Sequence, residues 1–150
     1  MPDTTLTPNG NNFGGSPMTT TLTEKAKALV RQPVIAHVAT VEADGTPQLT
    51  PVWIDLDGED LVFNTAKGRV KTNNLERNPH VAVSIVDPTD AYNVVVVRGS
   101  AEITEKGADE HIDSLAKKYL GVDSYPMRRP GEVRIICRVK ADKVVMQAGD

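Results

Sequence analysis

The chain carries one cysteine, Cys137, among 150 residues, which excludes an internal disulfide and leaves a cysteine-rich metal site without ligands. Standing in the apolar run 133–139, it reads as a small buried hydrophobe. No apolar run approaches the roughly 18 residues that a membrane-spanning helix needs. The opening residues, Met1-Pro2-Asp3-Thr4, hold neither the basic nor the apolar region of a secretory leader, so the expectation is a soluble, cytoplasmic protein with no membrane partner. A basic excess is also missing. The net charge is -3, and the chain as a whole has no nucleic-acid footprint. His80 and His111 have no second histidine or carboxylate at ligand spacing, and no metal site is expected. His37, on a strand among apolar residues, reads as a hydrogen-bonded core or half-buried histidine. The Gly-x-Ser-x-Gly elbow, the Walker glycine loop and the Gly-x-Gly-x-x-Gly fingerprint are all absent. If the chain is an enzyme, its hard chemistry therefore belongs to a bound cofactor.

What is present suits one globular domain with a real core. Pro, Gly, Asn, Thr and Ser dominate residues 1–18, which are expected to form a disordered tail, because such a composition cannot bury enough apolar area to offset its ordering entropy. The domain then spans 19–150. Thr23 is the expected N-cap of a helix over 24–32, ended by Pro33. Three strands follow at 34–41, 48–56 and 60–64, joined at Asp44-Gly45 and Asp57-Gly58 as a meander. Further strands are expected at 80–86 and 93–103. Thr104 looks like the N-cap of a helix whose buried stripe is Ile112, Leu115, Tyr119 and Leu120, and which stops at Gly121. Strands at 132–139 and 143–147 close the sheet. The fold class is mainly β with peripheral helices, and the short hairpins favour a barrel, since closure removes exposed edges.

The segment 64–79 is the chemical centre of gravity. It runs from the end of a strand, Leu61-Val62-Phe63, into a short helix that should close near Asn78-Pro79. Lys67, Arg69, Lys71 and Arg77 stand there against Glu76 alone, a local balance of +3 in an acidic chain. Free N–H groups in the first helical turn, the helix dipole, the Thr65 hydroxyl and Gly68 together suit a phosphate. An exposed basic helix start is the competing interpretation.

Four stretches in register carry a family resemblance: the hairpin 44–53, the strand end Asn64-Thr65, the corner 69–79, and the strand 93–103. Over residues 23 to 147 the chain resembles the pyridoxamine phosphate oxidase-like split β-barrel superfamily, in particular its branch that uses coenzyme F420. The flavin oxidases of that superfamily usually show adjacent arginine and lysine at the corner, whereas here the pattern is Arg69-x-Lys71. The resemblance implies a homodimer with cofactor at the subunit interface. It places Gln48, Leu49, Thr50, Pro51 and Val52 along the ring system. Asn64, Thr65, Ala66, Lys67, Arg69 and Lys71 fall around the phosphate, and Asn93 is offered by the partner subunit. Trp53 and Tyr92 are candidates for the pocket wall, with a core or interface role favoured for Trp53. Arg128 or Arg129, with Lys67, are candidates for the longer tail of F420, or else part of a solvated loop.

The function implied is an F420-dependent oxidoreductase that passes a hydride from the reduced cofactor to an unsaturated small organic acceptor. No general acid is identified. The alternatives are the same fold binding FMN as an oxidase or reductase, a non-catalytic F420 carrier, and a haem-binding relative.

Overall fold

The elements fall where the apolar pattern changes period. A computed structural model describes residues 19–146; the expected tail and the last residues of the chain, Gln147 included, lie outside the described residues. In chain order the elements are α1 (Glu24–Arg31), β1 (Ile35–Val41), β2 (Pro47–Asp57), β3 (Asp60–Ala66), α2 (Val70–Arg77), β4 (His80–Asp87), β5 (Asp90–Thr104), α3 (Ala108–Leu120) and β6 (Arg134–Met146). The strands close into an antiparallel barrel in the order β1-β2-β3-β6-β5-β4. Alternate residues point inward, so that Val38, Ile54, Phe63, Ile85, Val95 and Ile135 are all but sealed from solvent. Thr23 caps α1, its hydroxyl accepting the Ala26 N–H at 3.1 Å, and Ala26, Leu29 and Val30 join the barrel core.

Four expectations need correction. Thr104 does not cap α3: it is still paired with Ile136 at the end of β5, and the cap is Gly107, in the left-handed conformation. Leu120, expected in the buried stripe of α3, is 47% exposed, because the helix tapers off toward Gly121. The two closing strands are one, β6. The apparent break is a bulge, with Arg98 opposite Lys143 while neighbouring Gly99 faces Ala141. A Cβ at Gly99 would lie 2.1 Å from the Lys140 carbonyl oxygen, so only glycine lets the two backbones meet there. Finally, His37 is exposed on the outer face of β1, since Ala36, Val38 and Thr40 hold the inward positions.

The feature that positions the site is a parting of strands. β2 pairs with β1 from Pro47 to Trp53, but it pairs with β3 only from Ile54 to Asp57. Beyond Phe63, β3 runs on beside β6 alone, as far as Ala66 opposite Arg134. α3 lies against this opening, with Ile112, Leu115 and Ala116 buried. Its C-terminal turn fastens the point of separation. The Tyr119 hydroxyl accepts the Ile54 N–H at 2.9 Å and donates to the Val34 carbonyl at 2.5 Å, standing between the interior of β2 and the residue just before β1. Lys118 Nζ donates to the Val30 and Ile54 carbonyls, each at 2.7 Å.

Tyr119→Phe removes only the hydroxyl and leaves a part-buried donor and acceptor unpaired, at a cost of about 1–3 kcal/mol. The urea midpoint should fall accordingly; an unchanged midpoint would mean that the hydroxyl does not fasten the strands.

Candidate functional site

At the strand-to-helix corner the chain turns through Gly68, whose φ of 86° is one that glycine adopts without cost. The Lys67 N–H donates to the Val133 carbonyl at 2.9 Å, and the Thr72 hydroxyl donates to the Ala66 carbonyl at 2.7 Å, fixing the start of α2 against β3 and the approach to β6. Arg69 is the N-cap residue and supplies no side-chain bond, so first-turn N–H groups remain available at the positive end of the helix. α2 is also tied to the β1–β2 hairpin. Asn74 Nδ2 donates to the Thr40 hydroxyl, which donates to Gln48 Oε1, at 3.0 and 3.1 Å.

Between the open edge of β2, the corner, α3 and the start of β6 lies a cavity of about 300 Å³. Its lining is two-sided. Pro51, Val52, Trp53, Ile112, Leu115 and Tyr125 give an apolar wall, in which the Trp53 ring stacks on Tyr119 at 5.0 Å between centroids and meets Tyr125 edge-on at 6.0 Å. Arg69, Lys71 and Arg134, with Asn64 and Thr65, give a cationic wall that includes no acidic residue.

The cations are differently held. Arg134 is 5% exposed; its Nε donates to Asn64 Oδ1 at 2.8 Å, and its guanidinium lies 5.2 Å from the Tyr125 centroid. Nη1 is 3.2 Å from Glu132 Oε1, close enough for ionic attraction, but the two are not aligned as a hydrogen bond and neither has another partner. Arg69 Nη2 reaches the other oxygen of Glu132 at 3.1 Å. Burial pushes the Glu132 carboxyl up, yet the charges of Arg134 and Arg69, with the bond from Arg69, outweigh it and hold the group below the usual range. Asn64 is committed throughout: Nδ2 donates to the Ala108 carbonyl at 2.9 Å and to His111 Nδ1 at 3.1 Å. Lys71 is half-buried and has neither a carboxylate nor a hydrogen-bond partner among the described residues. Burial, and then repulsion from Arg69, lower its pKa. The Thr65 hydroxyl, on a side chain 1% exposed, also lacks a partner. An orphaned hydroxyl beside an unneutralised lysine, and two arginines that share one carboxylate, suit an oxyanion, because each would gain a charge-assisted bond on binding.

Of the residues singled out from the sequence, Pro51, Val52, Trp53, Asn64, Thr65, Arg69 and Lys71 line this cavity. Gln48, Leu49 and Thr50 stand on the open stretch of β2 outside the lining, Leu49 being 64% exposed. Ala66 is buried opposite Arg134. Lys67 is drawn away by Glu105, and Arg128 is paired with Asp109 and Asp113. Tyr92 is exposed at 89%. Asn93 lines a different cavity beside α1, where it donates to Asp87 at 2.9 Å, so one chain does not bring it to the corner. Sequence reasoning missed Arg134, Glu132 and His111. The available signal was an arginine inside the apolar run 133–139, since a buried charge is tolerated only with partners.

A barrel parted along one seam, with a cationic corner at the head of the opening, defines a split-barrel binding protein. The family model described as pyridoxamine 5'-phosphate oxidase matches residues 22–146. The chain belongs to that family, a split-barrel family named for an oxidoreductase. Among solved structures, one named F420 Reductase is 33% identical, with a TM-score of 0.69 over 80% of this chain and 95% of that one. A putative pyridoxamine 5'-phosphate oxidase from Lactobacillus delbrueckii is 25% identical, with a TM-score of 0.62 over 85% and 96% of the two chains. HupZ of Group A Streptococcus shares the fold, at 23% identity and a TM-score of 0.61 over 86% and 98%. Among the described residues no helix is long and apolar enough to cross a membrane.

His111 supplies a pH handle. Asn64 Nδ2 is a donor, so Nδ1 accepts and the ring is neutral; burial, the largest influence, holds its pKa below 6.5. The unfolded chain thus binds the extra proton first, and stability should fall as pH drops below about 6.5. The thermal midpoint of the protein is expected to decline between pH 7 and 5.5 more steeply than that of His111→Gln. Parallel declines would contradict the assignment.

Proposed function

We propose that this chain is an F420-dependent oxidoreductase that reduces an unsaturated small organic acceptor. The observation that carries the reading is Lys71, half-buried beside Arg69 and Arg134 with no counter-charge of its own, in the cavity that Thr65, with its unpartnered hydroxyl, also lines. The 33% identity to a protein named F420 Reductase supports it. Thr65, Arg69 and Lys71, with the Ala66–Gly68 turn beside them, hold the phosphate. Lys67 takes part only by leaving Glu105. The unpaired backbone edge of Gln48, Leu49, Thr50, Pro51 and Val52 lies along the ring. When bound, the reduced deazaflavin supplies a hydride for the acceptor. The protein's own part is to orient the two reactants and exclude water. In this reading the working unit is a homodimer, and Asn93 reaches the cofactor of the other subunit, which accounts for its distance from the corner of its own chain. The same seat would hold the phosphate of FMN, the second reading, with which the family match is equally compatible.

The test is a fluorescence titration of purified protein with F420 and, separately, FMN. F420 is expected to bind the more tightly, and Lys71→Ala should weaken it at least tenfold, the equivalent of about 1.4 kcal/mol, through loss of a charge-assisted bond. Because Lys71 has no internal partner to abandon, the thermal midpoint of the variant should change little. Preference for FMN would move the assignment to flavin chemistry, and undiminished F420 affinity in Lys71→Ala would remove the proposed seat.

A further inference from the structure

Three cations line the cavity, and one carboxylate, Glu132, stands behind two of them, an excess of two positive charges over the single negative one. Arg69 is at the rim, with a side chain 45% exposed, whereas the Arg134 side chain is 4% exposed. The Arg134 guanidinium is locked on one edge. Its Nε is spent on Asn64, which is itself fixed by the Ala108 carbonyl and His111, and Glu132 draws the group from another side without aligning to it. Nη1 remains a buried donor without a directed acceptor. Holding a charge in this way costs desolvation that the misaligned Glu132 contact does not recover. The unmet donor is therefore matched to something that arrives from outside.

We infer that Arg134, remote in sequence from the corner, is the innermost anion-binding group of the cavity, and that Asn64 and Glu132 are positioning residues that aim it. The ligand group it takes is a doubly charged or multiply anionic oxyanion of the phosphate ester class. Arg134 meets the oxygen furthest from solvent, opposite Lys71 and Arg69. This rests on the proposed phosphate seat and adds to it a residue from β6, so that the anion bridges two ends of the chain and ties the parted strands together.

The experiment follows the arginine Nε–H resonances of the 15N-labelled full chain during titration with inorganic phosphate, the Arg134 signal being assigned by its loss in Arg134→Lys. A phosphate-dependent shift of that signal is the expected result. No shift, or one confined to Arg69, overturns the inference. In a second arm, the wild type and Arg134→Lys are titrated with FMN and riboflavin, and with F420 and its unphosphorylated deazariboflavin. The variant should lose about ten- to a hundredfold in affinity for the phosphorylated member of each pair and nothing for the other. Equal losses for both members would make Arg134 a purely structural residue and overturn the inference. Failure of the wild type to bind any of the four ring compounds would remove the cofactor reading alone, and the phosphate titration would then decide the role of Arg134.

Discussion

Everything at the site depends on the separation of β2 from β3 after the Ile54–Phe63 pair. A strand edge left without a partner leaves its backbone groups needing water, a side chain or a ligand. The chain answers in two ways. At the fork, Tyr119 and Lys118 take up the amide and carbonyl groups that no strand reaches. Further along β2, Pro47 and Pro51 contribute no N–H at all, which reduces the number of donors and discourages a foreign strand from adding itself. The opening thus persists in a barrel that is otherwise closed, and an apolar wall and a charged wall come to face one another.

The charged wall does not read as a stabilising device. A buried ion pair seldom repays its desolvation, and here the geometry is poor where it matters most, between Arg134 and Glu132. Lys71 has not even that compensation. Stability is supplied elsewhere, by the aliphatic barrel interior and by helices that lay apolar stripes against it. The division of labour is spatial: the strands bury hydrocarbon, and the ends of β3 and β6 store unspent hydrogen-bonding capacity.

Much of the fold was legible because its signals are local. The Thr23 cap, the two Asp-Gly turns and the stop before Pro79 each act within a few residues, and each marks a boundary that the structure keeps. The corner was legible for the same reason: its cations are close neighbours in sequence. What escaped depended on distant pairing. Thr104 has the chemistry of a cap, but its place opposite Ile136 keeps it in a strand. The bulge at Asp142 looks like a gap between two strands until β5 is laid beside it. His37 could not be given a side, because both faces of β1 are apolar and the alternation has no phase. Arg134 sat in a run that reads as pure core, and its partners come from β3 and from the segment just before β6. Asn93 lines a cavity beside α1 and not the one at the corner.

Cys137 lies wholly inside the barrel, and burial pushes its thiol up to about 12. At neutral pH it offers almost no thiolate, the form that reacts with alkylating agents. Since the sequence has no other cysteine, the protein comes with a silent thiol background. A single cysteine introduced at Met127, which is 52% exposed at the mouth of the cavity, would take a fluorophore selectively without prior removal of the native residue, and would turn occupancy of the cavity into an optical signal.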